Sequence, residues 1–228
     1  MTKRWREERK RDHYYKRAKK EDYRSRAAYK LLQINNKFKI IKLGDIIIDL
    51  GASPGGWSQV AAEAVGEEGK VIAVDMKEMA AIPGVAFVKG NALRERTKGD
   101  ILSILDDIRT PSIAKRGAGR GAKADVIISD MAPNISGNYS IDHAKSIELA
   151  EMALDYADEF LKPGGNIVVK VFEGDMMRDY FNTIKIKFKI SKRHAPKASR
   201  KSSSEVYIIG KGFKGFSLSR DQYQDTSP

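Results

Sequence analysis

The 228-residue sequence contains no cysteine. Disulfides, thiolate zinc ligands and a thiol nucleophile are therefore excluded, and the composition suits a reducing cytoplasm. No apolar run approaches the roughly 18 residues that a membrane-spanning helix needs. The opening residues, 1–17, lack the apolar stretch of a secretory signal. Histidine is scarce: His13, His143 and His194 are scattered, and no His/Asp/Glu grouping has metal-ligand spacing, so no metal is expected. No internal repeat is evident.

Charge, by contrast, is plentiful. The chain carries 42 Lys+Arg against 30 Asp+Glu, a net charge of +12, and this excess favours polyanionic partners. It is unevenly placed. Residues 1–30 hold thirteen Lys/Arg and five Asp/Glu, and residues 185–201 hold eight Lys/Arg and no acid. Together these segments exceed the total, so the remainder is a mildly acidic body, with a smaller basic loop at Lys115–Lys123. Trp5, Tyr14, Tyr15, Tyr23, Phe188 and His194 interleave with the charges. Cations neutralise phosphates and aromatic faces stack on unpaired bases, which points to nucleic acid. A membrane surface would require an apolar face opposite the charges, and residues 1–30 show little of one. The charge suits a monomer that docks on RNA.

The apolar pattern predicts a helix over 24–36 and then a buried strand, DIIIDL, over 45–50. Further strands are predicted at 70–74, 85–89, 125–129, 166–171, 185–191 and 204–210. Helices are predicted over 57–65, 97–108, 141–161 and 174–183. Residues 1–22 are too polar to pack alone and read as a basic arm that is mobile or ordered by a partner. Residues 111–124 form a Gly/Arg/Lys-rich loop, and Lys162–Gly165 a turn. Strand–helix alternation implies an α/β, doubly wound, Rossmann-like parallel sheet, which binds ligands at the carboxyl ends of its strands.

Two groups of residues stand at those ends. The turn from Asp49 to Trp57 (DLGASPGGW) offers Gly51, Pro54, Gly55 and Trp57. Its spacing is not that of a pyrophosphate loop, which disfavours a nicotinamide oxidoreductase and suits a cofactor without phosphate, such as S-adenosylmethionine. Asp75 ends the second strand, in register to accept hydrogen bonds from ribose hydroxyls. The second group is Lys30, Asp130, Lys170 and Glu205. Asp130 lies just beyond the fourth strand and Lys170 near the end of the fifth, so parallel strands place both at one rim. Glu205 opens the last strand, and reaches the same rim if that strand is antiparallel. Lys30 precedes the first strand. A lysine inside the apolar run Ile167–Val171 needs a partner or a role.

The segments YRSRAAYKL (Tyr23–Leu31), DLGASPGGWSQV (Asp49–Val60), SDMAPNISG (Ser129–Gly137), GGNIVVKVF (Gly164–Phe172) and SRKSSSEVYIIGKGFK (Ser199–Lys214) resemble the FtsJ/RrmJ family of ribosomal RNA 2′-O-ribose methyltransferases. The resemblance spans residues 23–214, leaving 1–22 as an arm and 215–228 as a tail. It implies a seven-stranded sheet with an antiparallel last strand. It implies S-adenosylmethionine as cofactor, held by Gly51, Pro54, Gly55, Trp57, Asp75, Asn91 and Asp130. It further implies a catalytic tetrad at Lys30, Asp130, Lys170 and Glu205, with Lys170 the proton acceptor. The substrate implied is a uridine ribose in large-subunit ribosomal RNA, naked or in the assembled subunit. Transfer RNA, an mRNA cap or a non-catalytic role in ribosome assembly are the alternatives. Where a family member carries Asp at the adenine contact, this chain has Asn91, whose amide offers a different hydrogen-bond pattern.

Overall fold

The computed structural model describes residues 12–108, 123–200 and 203–215. Among these, seven strands form one sheet: β1 (Ile46–Leu50), β2 (Lys70–Asp75), β3 (Val85–Lys89), β4 (Ala124–Ser129), β5 (Leu161–Phe172), β6 (Phe188–His194) and β7 (Glu205–Phe213). Their order is β3-β2-β1-β4-β5-β7-β6. The pairs from β3 through β5 are parallel, and β7 runs antiparallel to both β5 and β6. The doubly wound sheet with an antiparallel last strand is thus the observed architecture.

Helices cover both faces, which is why the inner strands read as unbroken apolar runs. On one face, Leu31 and Ile34 of helix Ala28–Phe38 and Val60 and Val65 of helix Gly56–Val65 pack with Ile47, Val126 and Val168. On the other, helices Glu95–Ile108, Tyr139–Phe160 and Met177–Lys187 supply Ile101, Ile147 and Ile184 against Ile48, Ile127 and Val169. Successive strand residues face opposite layers, so each strand feeds both cores. No helix among the described residues is long and apolar enough to cross a membrane.

Numbered in chain order, the helices are α1 (His13–Lys20), α2 (Ala28–Phe38), α3 (Gly56–Val65), α4 (Glu95–Ile108), α5 (Tyr139–Phe160) and α6 (Met177–Lys187). Three depart from the sequence expectation. The polar segment read as an arm contains α1, capped by Asp12, whose carboxylate accepts the Tyr15 N–H at 3.1 Å. Ala18 is buried against Tyr29 and Ala198, so the segment docks through one small apolar contact flanked by polar bonds. Helix α6 runs through Lys187, and β6 begins only at Phe188, three residues later than expected. Helix α5 starts early because the Asn138 side chain accepts from the N–H groups of Ser140 and Ile141. Residues 162–165 bulge from the sheet, since Leu161 pairs with Ala124 while Asn166 pairs with Val126. Residues 1–11 of the expected arm, 111–122 of the basic loop with 109–110 before it, and 216–228 of the tail lie outside the described residues.

Candidate active site

The strand order reverses between β1 and β4, and the carboxyl ends there open a cleft of about 640 Å³. Gly51 lines it directly after β1, at φ 74°. A Cβ at Gly51 would come within 2.3 Å of Met131 Cγ, so only glycine lets this turn pass against the loop after β4. Asp75 and Asn91 also line it, and the Gly51 turn is bonded to the end of β2 that carries Asp75. The Asp75 carboxylate accepts the N–H groups of Ser53 at 2.9 Å and Lys77 at 2.7 Å, which fix its orientation while leaving lone pairs for a ligand's hydroxyls. Asn91 Oδ1 accepts the Leu93 N–H at 3.0 Å, leaving the amide NH₂ as a donor. Asp130 lines the same cleft from the end of β4.

Pro54, Gly55 and Trp57 are placed differently: none of them is on the cleft wall. Gly55, at φ 107°, caps α3, and the Pro54 carbonyl accepts from Arg24 at 3.4 Å. Trp57 is buried; its indole N–H donates to the Ala27 carbonyl at 2.9 Å, and its ring lies 5.6 Å from that of Tyr207. These three shape the turn and seat α3 against α2.

The four remote polar residues meet. Lys170 on β5 pairs with Tyr207 on β7, and Phe172 pairs with Glu205, so the antiparallel return of β7 carries Glu205 to the rim. Lys170 Nζ lies 3.0 Å from Asp130 Oδ1 and also donates to the Asp130 carbonyl. Lys30 Nζ lies 2.6 Å from Glu205 Oε1 and 3.9 Å from Asp130 Oδ1. Lys30 and Lys170 are 9% and 7% exposed. Burying two ammonium groups is costly, and two carboxylates within contact compensate it, leaving the cluster neutral.

Burial pushes the Asp130 carboxyl up, but the ammonium groups of Lys170 and Lys30 and the bond from Tyr207 outweigh it and hold it below the usual carboxylate range. Tyr207 was not foreseen as a site residue. Its hydroxyl donates to Asp130 Oδ1 at 2.6 Å, and burial together with the Asp130 charge pushes its own ionisation well above the ordinary phenol range. It lies two residues past Glu205, on the same strand face, so the period of a strand could have exposed it. A second unforeseen residue is Asp49, whose carboxyl sits on β1 beneath the turn. Burial pushes it up to about 7, against one stabilising bond from Ser58 Oγ at 2.6 Å, with the charges of Asp130 and Asp75 adding to the rise.

Lys30 and Glu205 also border a second cleft of about 370 Å³, with Arg26, Arg200 and Ser203. Arg26 comes from the first basic segment and Arg200 from the second. Both approach the Asp12 carboxylate, Arg26 in direct contact and Arg200 at 3.9 Å. The two basic segments therefore converge at the outer edge of the tetrad.

The model of the FtsJ-like methyltransferase family matches residues 23–213. The chain belongs to that family. It is 47% identical over 217 residues to the ribosomal RNA large subunit methyltransferase E of Methanothermobacter thermautotrophicus, spanning 94% of this chain and 96% of that one. Its identity to the Archaeoglobus fulgidus protein of the same name is 48% over 203 residues, 89% of this chain and 96% of the relative. A solved Plasmodium falciparum structure, described as a ribosomal RNA methyltransferase, superposes with a TM-score of 0.72 at 31% identity and covers 85% of this chain and all of its own. Membership implies a methyl donor. The larger cleft has the chemistry for a cationic, hydroxyl-bearing one: the carboxylates of Asp75, Asp130 and Glu148 outnumber the ammonium groups of Lys77 and Lys145 along it, beside an amide at Asn91.

Proposed function

We propose that this protein transfers a methyl group from S-adenosylmethionine to a ribose 2′-hydroxyl of large-subunit ribosomal RNA. One observation carries the reading: a charge-compensated Lys30/Asp130/Lys170/Glu205 cluster stands where the carboxylate-lined cleft meets the basic one. Asp75 would hold the ribose of the cofactor and Asn91 its adenine edge, with Gly51 allowing close backbone approach. When bound, that cofactor supplies an electrophilic methyl group beside a positively charged sulfur.

The chain's residues do the rest. A ribose hydroxyl is a poor nucleophile unless its proton leaves as the new bond forms. Lys170 Nζ is the proton acceptor in this reading, and it must present a lone pair at that moment. Asp130 orients it through the 3.0 Å contact and places negative charge next to the cationic donor. Glu205 fixes Lys30, whose ammonium can hold the ribose or an adjoining phosphate. Arg26 and Arg200 sit where the flanking RNA backbone would run. Methyl transfer requires a linear approach of oxygen, carbon and sulfur, so positioning supplies much of the rate.

The test is incubation with radiolabelled S-adenosylmethionine and undermethylated large ribosomal subunits or their RNA, followed by alkaline hydrolysis. A 2′-O-methyl group protects the adjoining phosphodiester, so the label is expected in an alkali-resistant dinucleotide. Label recovered in mononucleotides would place the methyl group on a base and contradict the proposal.

A further inference from the structure

Tyr139 opens α5 and is 59% exposed, although its side chain is fastened at more than one point. Its hydroxyl donates to the Glu173 carbonyl. Its ring stacks on His143, with centroids 6.3 Å apart and planes at 11°. The imidazole beneath is itself locked. Nε2 accepts the Met176 N–H at 3.1 Å, and Nδ1 lies 3.1 Å from the Phe172 carbonyl, which can only accept, so the proton sits on Nδ1. The result is an exposed aromatic plane, tied at its hydroxyl and flanked by a locked imidazole. A tyrosine kept for packing alone would bury its ring.

The plane stands beside the tetrad. Glu173 follows Phe172, the partner of Glu205, and donates its own N–H to the Ser204 carbonyl at 2.8 Å. Along the chain it is three residues beyond Lys170, about 10 Å of strand, which is within the reach of one nucleotide. Met176, whose N–H bonds the His143 ring, adds exposed apolar surface beside it, at 47%. Arg193 pairs with the Glu173 carboxylate at 3.2 Å and offsets its charge, while Asp175 in the same loop is exposed. The tetrad therefore lies between a basic cleft, with Arg26 and Arg200, and an aromatic shelf.

We propose that Tyr139 is the platform on which the RNA substrate stacks an unpaired nucleobase while a ribose occupies the tetrad; this rests on the RNA-methyltransferase reading above. The occupant follows from the arrangement. Phosphates need cations, and bases need a flat apolar face. An apolar protein partner would bring no anion to the Arg26/Arg200 cleft that also borders the tetrad. Because the ring is already fixed, stacking costs little ordering. Tyr139 is thus a positioning residue that acts on the base, not on the methyl group or the proton.

The test compares Tyr139→Ala with Tyr139→Phe, which keeps the ring and loses the bond to Glu173. In equilibrium binding of single-stranded RNA carrying 2-aminopurine, Tyr139→Ala should weaken affinity about tenfold, and Tyr139→Phe less than about threefold. Fluorescence quenching should persist in the wild type and in Tyr139→Phe and vanish in Tyr139→Ala. The slope of affinity against salt should be the same in all three, since no phosphate contact is removed. After the methylated nucleotide is mapped, an abasic substitution there or at its neighbour should slow single-turnover transfer by the wild type and have no further effect on Tyr139→Ala. Unchanged affinity and quenching in Tyr139→Ala, or an abasic penalty that persists in it, would overturn the proposal. A wild type that binds and quenches but methylates no ribose would overturn the enzymatic reading and leave the platform standing.

Discussion

The half of the sheet proposed to hold the cofactor and the half proposed to hold the acceptor are built in different ways. On the cofactor side, Gly51, Asp75 and Asn91 follow one another within a short stretch of parallel strands, and backbone N–H groups hold Asp75 in place. On the acceptor side, Lys30, Asp130, Lys170 and Glu205 arrive from four distant segments and hold one another by ion pairs. The first half can be changed one contact at a time. The second is a closed set, in which removing one charge strands its neighbour. Cofactor affinity and methyl transfer should therefore be separable.

The largest effect is expected at Lys170. Lys170→Ala should keep its affinity for S-adenosylmethionine, measured by calorimetry, while single-turnover transfer falls by about 10²-fold or more. Lys170→Arg should not restore the rate, because a guanidinium stays protonated. A near-normal rate in Lys170→Arg would leave Lys170 as an electrostatic positioner. Asp75→Ala should show the opposite pattern. Loss of hydrogen bonds to a charged acceptor is worth about 1–3 kcal/mol, so cofactor affinity should fall roughly 5- to 150-fold. Its transfer rate at saturating cofactor should stay close to wild type, and a collapse of that rate would join the two halves.

Asp49 provides a smaller, pH-dependent effect. Its folded-state pKa is raised to about 7, so between the unfolded value near 3.8 and 7 the folded protein binds the extra proton. Its contribution is thus fully present at acid pH and is lost as pH rises toward 7, at about 1 kcal/mol per pH unit. Asp49→Asn should remove this slope. Thermal melting from pH 5 to 8 should show the variant gaining on the wild type as pH rises, and parallel curves would show that Asp49 is already ionised. The smallest effect is expected for Tyr207→Phe, about a fivefold slower transfer from the loss of one hydrogen bond to Asp130. Since that bond helps hold Asp130 below its usual range, the acid limb of the pH–rate profile should move upward in the variant. A slower rate with an unmoved limb would assign Tyr207 to packing alone.

Gly51, Asp75 and Asn91 were legible from local pattern, although Pro54, Gly55 and Trp57 of the same expected set lie off the cleft wall. A glycine-rich turn and a carboxylate ending the next strand are local features, and the parallel sheet fixes their register. The acceptor half needed the topology first: Glu205 reaches Lys30 only because β7 runs antiparallel beside β5. Lys170 betrayed itself as a charge in an apolar strand, whereas Tyr207 reads as an ordinary core aromatic until its contact with Asp130 is seen. Burial of Trp57 followed from its partner Ala27 on a separate segment, which no local pattern reveals. The strand expected at 185–191 holds Ile186, Phe188 and Ile190 at alternate positions. The fold instead buries Ile184 and Phe188, four apart across the end of α6, and leaves Ile186 72% exposed. Helix α1 was hidden because its buried contact, Ala198, is remote in sequence.

The central claim is that the tetrad directs the methyl group to a ribose 2′-oxygen. It is tested most directly by replacing the mapped nucleotide with its 2′-deoxy counterpart in an otherwise identical RNA and measuring single-turnover transfer at saturating cofactor. The deoxy substrate should bind as tightly as the parent and accept no methyl group at that position. Label appearing there at the parental rate would show that the base, and not the ribose, is the acceptor.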